Sequence, residues 1–428
     1  MKYVITMLLV GCAFAFTFHG SARAGPYSLE IIAQAGDVID GRTIIGFSGE
    51  ELTLAINNSG EVAFFANVAS AEGSGLSLMT QNRFIAGAGK VIDGRVLRFG
   101  SEPSLDMNNL GDVAYRPTFT DLRTGEGGRG IYVNETLLVE ADVSVIDGHA
   151  VTNLVGSPTI NDAGRVVFGA QTSELDGIFT PSELLIREGQ SFAGFTIHAV
   201  GGIKNNAGKL AFGMVFEEFD GLAIATLSDG ILVKEGDAID GVTIDRIRDV
   251  RFTNAGELYM NILGTDIGGE PDGYIVTENR ILFGPESIIR GISDPILAGN
   301  GALLNTAGQF AFWGAVEEPG RGFVGEFRDA RGFIFAAGEV VISEGDVLDG
   351  KVVSRLFLPF DMNDRGQVVF EVVFEDLSKA VVVATPNIPE PSSFVLAAIA
   401  VLLLLAARRK RRGANYFGTK NQFTRGTP

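Results

Sequence analysis

The chain of 428 residues contains one cysteine, one tryptophan and three histidines. The cysteine, Cys12, lies in an apolar N-terminal run, so the remainder can form neither a disulfide framework nor a cysteine-based zinc site. His19 belongs to the same run. His149 and His198 stand alone, without the His-Glu-x-x-His or His-x-His spacing of a zinc centre. There is no Gly-x-Ser-x-Gly elbow, no Gly-Lys-Ser/Thr phosphate loop and no dinucleotide fingerprint. Positive charge is also scarce. Nine of the 34 basic residues lie in the two ends, where no acid does, which leaves 25 against 52 acids and a net of −27 for the middle. Such a surface repels phosphate backbones and excludes nucleic acid as a partner.

What is present is a folding composition. Apolar residues make up 46% and charged residues 20%, enough to bury one large core or two ordinary ones. Glycine is abundant at 56, and 31 Phe far outnumber 7 Tyr. Many glycines among Phe, Val and Ile predict numerous short strands joined by tight turns.

Both ends carry addresses. Residues 1–24 have a basic residue, an apolar stretch through Phe18 and then Ala22-Arg23-Ala24, the form of a secretory signal peptide cleaved after Ala24. Leu9-Val10-Gly11-Cys12 also resembles a lipobox, which would make Cys12 a lipidation site; against it, the apolar run continues past Cys12. Near the other end, Phe394 to Ala407 are 14 consecutive apolar residues, about 21 Å of helix at about 1.5 Å per residue. This is short for a bilayer core of about 30 Å, but flanking serines and snorkelling arginines extend its reach. Arg408, Arg409, Lys410, Arg411 and Arg412 follow and would stay in the cytoplasm, which puts everything before Pro389 outside. The implied divisions are a signal peptide (1–24), a body (25–385), a linker (386–392), a transmembrane helix (393–407) and a basic tail (408–428).

Pro389-Glu390-Pro391, the apolar run and the basic cluster together resemble the PEP-CTERM sorting signal of Gram-negative bacteria. The resemblance implies an exosortase-type membrane protease as partner, a single-pass anchor with the N-terminus outside, and later delivery to the cell surface or extracellular matrix. The sixteen residues after Arg412 depart from that family's pattern, which usually stops at the basic cluster.

Between the addresses one phrase recurs seven times. It reads Asn57-Asn58-Ser59-Gly60-Glu61-Val62-Ala63-Phe64 in its clearest form and returns at Asn108, Asn161, Asn205, Thr253, Asn305 and Asn363. The shared glycines, from Gly60 to Gly366, have a mean spacing of 51 residues. Asn at the first position of a type I turn accepts backbone hydrogen bonds, and Gly at the fourth supplies the left-handed conformation of a bulged hairpin. The residues that follow are apolar on both faces, as in a sheet held between two other layers. A second phrase, Ala35-Gly36-Asp37-Val38-Ile39-Asp40-Gly41 in its first copy, precedes each turn, and further strands lie between, giving about four strands per period.

Seven four-stranded units buried on both faces predict a seven-bladed β-propeller, an all-β fold. The alternative is a stacked sandwich array. Ring closure favours the propeller: the last repeat ends at Lys379 to Thr385 without its final strand, and the body begins with the missing piece, Tyr27 to Asp37. The tandem Asn-x-x-Gly-x-x-x-Phe repeats resemble a family of uncharacterised bacterial surface proteins that carry PEP-CTERM anchors, a resemblance that implies address and repeat count but no reaction.

The sharpest chemical candidate is the Gly-Asp-x-x-Asp-Gly corner, with Asp37 and Asp40, Asp237 and Asp240, and Asp346 and Asp349. Clustered carboxylates and turn carbonyls suit calcium; the other reading is an Asp-Gly turn whose acid caps its own backbone. Lys90, Ser144, Gln190 and Ser287 replace the first Asp elsewhere, as a turn permits and a required ligand does not. No catalytic residue is assigned. The expectation is an exported, non-enzymatic binding or scaffold protein, with extracellular polysaccharide or surface proteins as partners. The alternative is a polysaccharide hydrolase with two carboxylates at the channel mouth.

Overall fold

The computed structural model describes residues 26–387 except 48–52, 72, 88, 101–102, 204–208, 254–255, 267–268, 270, 285–295, 299–301, 318–322, 325–326 and 329. The leader with Cys12, Ala22 and Ala24, and the sorting segment with Pro389, Glu390, Pro391 and Arg408 to Arg412, lie outside the described residues. Among the described residues all regular structure is β-strand, and no helix is long and apolar enough to cross a membrane.

The recurring turns form as their chemistry dictates. In the first copy the Gly60 amide donates to the Asn57 carbonyl (3.0 Å), and the Asn57 amide donates to the Glu61 carbonyl (3.0 Å). The Asn57 side-chain oxygen accepts from the Ser59 and Glu61 amides at 3.0 and 2.9 Å. Gly60 sits at φ 89°, where a β-carbon is disfavoured. Thr253 does the work of Asn in its copy, its hydroxyl accepting from the Glu257 amide at 3.0 Å. The second phrase also turns: Asp40 and Gly41 have φ of 48° and 71°, the pair of left-handed residues of a type I′ hairpin. That hairpin adds a two-residue strand, Val38–Ile39, to the four expected in each period.

The strands assemble into an all-β propeller. Among the described residues there are seven sheets of five to seven strands and one two-stranded ribbon, Phe323–Val324 with Phe327–Arg328. Numbered in chain order, sheet 1 opens at Val38–Ile39, sheet 2 at Val91–Ile92, sheet 3 at Val145–Ile146, sheet 4 at Ser191–Phe192, sheet 5 at Ala238–Ile239, sheet 6 at Ile296–Ala298 and sheet 7 at Val347–Leu348. Sheet 7 is completed by the beginning of the body. Tyr27–Gln34 pairs antiparallel with Lys379–Pro386, from Tyr27 opposite Pro386 to Gln34 opposite Ala380.

Apolar faces on both sides of each sheet are buried against the neighbours. Phe65 and Leu78 of sheet 1 pack with Leu97, Met107 and Tyr115 of sheet 2, and Ile224 and Val233 of sheet 4 pack with Ile244 and Met260 of sheet 5. The last and first sheets join in the same manner, Val369, Val381 and Val383 meeting Ile44, Phe64 and Val68. Fully burying a side chain such as Phe64, Phe312 or Phe370 contributes roughly 1.5–3 kcal/mol. Each sheet therefore depends on two neighbours, and a stacked array with two open ends is excluded by the pairing of Tyr27–Gln34.

Candidate functional site

Among the described residues the innermost strands of sheets 1, 2, 3, 5, 6 and 7 lead directly into Asn or Thr turns, so these turns gather at one end of the central channel. They are bonded to one another. Asp364 donates its amide to the Asn58 side-chain oxygen, Asn58 to that of Asn109, and Asn109 to that of Asp162, each at 2.8 Å. Thr306 donates in the same way to Asp364 at 3.0 Å. The first residues add a parallel set, in which the Asn363 side-chain amide reaches the Asn57 carbonyl (2.9 Å) and that of Asn108 the Asn161 carbonyl (3.1 Å). These bonds run in one rotational sense through the turns of sheets 6, 7, 1, 2 and 3. The turn of sheet 4, Asn205 to Gly208, lies outside the described residues.

Beneath this belt lies a cavity of about 530 Å³ to which every sheet contributes, including Ile56, Thr159, Gly202, Arg251, Leu304 and Asp361. An innermost strand is a sheet edge, and its outward N–H groups need acceptors. Two aspartates, each two residues before a turn, supply them across a sheet junction. Asp106 accepts from the Ile160 amide at 2.7 Å and Asp361 from the Ile56 amide at 3.0 Å. Their second oxygens accept from the Met107 and Met362 amides, both at 2.9 Å.

In sheet 5 the same position holds Arg251, which can accept nothing. Tyr259, directly opposite Arg251 on the paired strand, takes over: its hydroxyl is hydrogen-bonded by the Leu304 main chain of sheet 6. Burial pushes the Tyr259 phenol well above its ordinary range. The Arg251 Nε donates to Asp249 Oδ2 at 3.2 Å, and each of these two side chains is 35% exposed. Burial works against the Arg251 charge, but Asp249 first, then Tyr259 and Asp361, outweigh it and hold the guanidinium firmly charged.

The Asp corners lie at the opposite end of the innermost strands. Asp37, Asp237 and Asp346 accept from the amides of Gln34, Lys234 and Ser343 at 2.8, 3.0 and 2.7 Å, each capping its own turn. Asp40 and Asp240 do something local reading does not foresee. They accept from the Phe84 and Ile281 amides, 44 and 41 residues ahead, and so fasten the outermost strand at 2.7 and 2.9 Å. Asp349 keeps the left-handed φ of 50° that the hairpin requires. Calcium wants six to eight oxygens, whereas the partnered oxygens of these acids face N–H donors. Among the described residues no group of three or more His, Cys, Asp or Glu gathers that could hold a metal ion. The corners do not fit the ion. His149 contacts Glu174 (3.5 Å), as an isolated pair.

The channel residues escape a reading by motif, since each appears once. Superposing the repeats would have exposed them: the position two before the turn reads Ala55, Asp106, Thr159, Ile203, Arg251, Leu303 and Asp361. Charge at a site that is otherwise small or apolar is the available signal.

The family model described as "Family of unknown function (DUF7453)" matches residues 13–261, and the chain belongs to that family. No curated protein matches it by sequence. Among solved structures it is similar to the β-propeller domain of the Trilobed protease from Pyrococcus furiosus (13% identity, 79% of this chain and 94% of that one, TM-score 0.39). It is also similar to the polysaccharide lyase Uly1 (10% identity, 85% and 100%, TM-score 0.40). A third is virginiamycin B lyase from Staphylococcus aureus (10% identity, 84% and 99%, TM-score 0.31).

Proposed function

We propose that this member of a family of unknown function is an exported, non-enzymatic binding or scaffold protein that takes its ligand at the belt end of the channel. The observation that carries the reading is the cavity of about 530 Å³ below the belt, a size in the usual range of ligand pockets. The three carboxylates that line it are committed elsewhere, Asp364 accepting from the Thr306 amide and the Asn58 side-chain amide. Asp361 accepts two main-chain amides and Asp249 holds the Arg251 guanidinium. A hydrolase acting through an opposed acid and base wants such carboxyls unpaired.

Export and sorting complete the proposal. Ala22 and Ala24 mark the cleavage of the leader, and Pro389-Glu390-Pro391 with the basic cluster marks an exosortase-type substrate. The protein is then anchored with its body outside and passes to the surface or matrix. We also read the seven multi-stranded sheets as seven blades of one ring, a count supported by an apolar cluster at each junction. A density map in which two of these sheets merge, leaving six blades, would overturn that count.

Two measurements test the function. Incubating the full-length chain with a glycan array should give retention without release of shorter products; released oligosaccharide would establish the hydrolase instead. Fractionating cells before and after deletion of 389–412 should show loss of membrane association. If the truncated protein stays with the membrane, the leader is the anchor and the sorting reading fails.

A further inference from the structure

We infer that the belt end of the channel binds a small carboxylate-bearing ligand, about the size of one sugar ring, through the terminal nitrogens of Arg251. The inference rests on the reading of the channel as a ligand site and names what that site recognises.

The acids that line the cavity are already engaged. Asp361 accepts from two main-chain amides. Asp364 accepts from the Thr306 amide on one oxygen and the Asn58 side-chain amide on the other. Both acids thus face fixed N–H donors and leave the guanidinium unclamped. Arg251 is tied only through Nε, to Asp249 at 3.2 Å, and among the described residues its two terminal nitrogens have no protein partner. A guanidinium gripped at Nε presents its remaining pair of N–H groups as a rigid fork, which matches the two oxygens of a carboxylate.

The surrounding residues support this use. Tyr259 supplies the acceptor that the Leu304 main chain needs, a task that carboxylates perform at two other junctions, so Arg251 is released from edge capping. Met107, Phe252 and Met362 give the cavity apolar walls against which the carbon body of a ligand can lie. The body as a whole carries a net of −27, yet with a Debye length of about 8 Å at physiological ionic strength the distant acids are largely screened. Recognition is set by the groups within reach, and there Arg248 lines the cavity together with Arg251.

The test uses the full-length chain and titration calorimetry with D-glucuronate, D-glucose and acetate. Glucuronate should bind at least about tenfold more tightly than glucose, because glucose leaves the charged fork unpaired. It should also exceed acetate, which has no body to fill the cavity. Arg251→Met should weaken glucuronate about tenfold or more, with Arg251→Lys between it and the parent. Asp249→Asn keeps a side-chain oxygen that can hold Nε and removes a competing anion, so it should bind glucuronate from about as tightly as the parent to about fivefold tighter.

Four results would each overturn the assignment: glucuronate no tighter than glucose, acetate equal to glucuronate, Arg251→Met binding like the parent, or Asp249→Asn abolishing binding. The last would mean that the pair is structural. If Arg251→Met does not fold, the lysine and Asp249→Asn variants still decide. Failure of this inference differs from failure of the scaffold reading. Matrix association without glucuronate binding removes only the former, and glucuronate binding without matrix association removes only the latter.

Discussion

Two junctions of the ring use the same repeat position to opposite ends. Between sheets 7 and 1, Asp361 reaches across to the Ile56 amide above an apolar cluster of Val369, Val381, Ile44 and Phe64. Between sheets 5 and 6 the outer part is equally apolar, with the Phe283 and Phe312 rings 4.7 Å apart. Its channel end, however, carries Arg251, Asp249 and Tyr259. One junction uses a charge to join two sheets and the other holds a charge at a cavity. A repeat architecture can vary in this way because each sheet needs only apolar flanks and one sound turn, which leaves the channel-facing position free to differ.

The largest expected effect comes from the joining side. Removing residues 26–36 would strip the outermost strand from sheet 7 and bare the edge of Lys379–Pro386. The loss should be on the order of the net stability of an ordinary domain, about 5 kcal/mol or more, read as collapse of cooperative thermal unfolding. Survival of a sharp transition at the original temperature would show that the ring does not depend on its closure.

Next in size are substitutions at the shared position. Asp106→Ala leaves the buried Ile160 amide without its acceptor and should cost about 2–3 kcal/mol. Arg251→Met leaves no edge N–H bare and should cost about 1 kcal/mol or less. Equal losses in urea titrations would erase the distinction between the two junctions.

High pH probes the core on both sides of the ring. Burial pushes Tyr27 and Tyr132 up to about 12 and Tyr115 and Tyr259 further. The unfolded chain releases these protons near pH 10 and the folded one holds them. Stability is therefore fully present below about pH 10 and falls as pH rises toward 12. Phenolate absorbance should rise together with loss of the β circular dichroism signal; phenolate formation with the fold intact would contradict the burial. Smallest of all is Tyr27→Phe. Among the described residues the buried Tyr27 hydroxyl has no hydrogen-bond partner, so its removal should be neutral or stabilising by up to about 1 kcal/mol, seen as an unchanged or slightly higher midpoint.

The fold was legible where short-range chemistry decides it. Asn57 with Gly60, and Asp40 with Gly41, are turns whose φ values follow from residue type. The unpaired piece at Tyr27 was legible because a sheet edge needs a partner. What local reading missed depends on distance along the chain. Asp40 fastens Phe84, and Asp364 reaches Asn58 from 306 residues away, so neither bond leaves a trace in its own neighbourhood. Arg251 and Asp249 read as ordinary alternating strand residues until the other innermost strands are set around them.

The pairing of Tyr27 with Pro386 has a geometric corollary. Pro386 lies beside Gly366, where an added β-carbon would stand 3.2 Å from its ring, so Tyr27 and Pro386 lie at the end that carries the turn Asn363 to Gly366. A fluorophore placed at residue 26 or 387 would therefore sit beside that turn and report on its state.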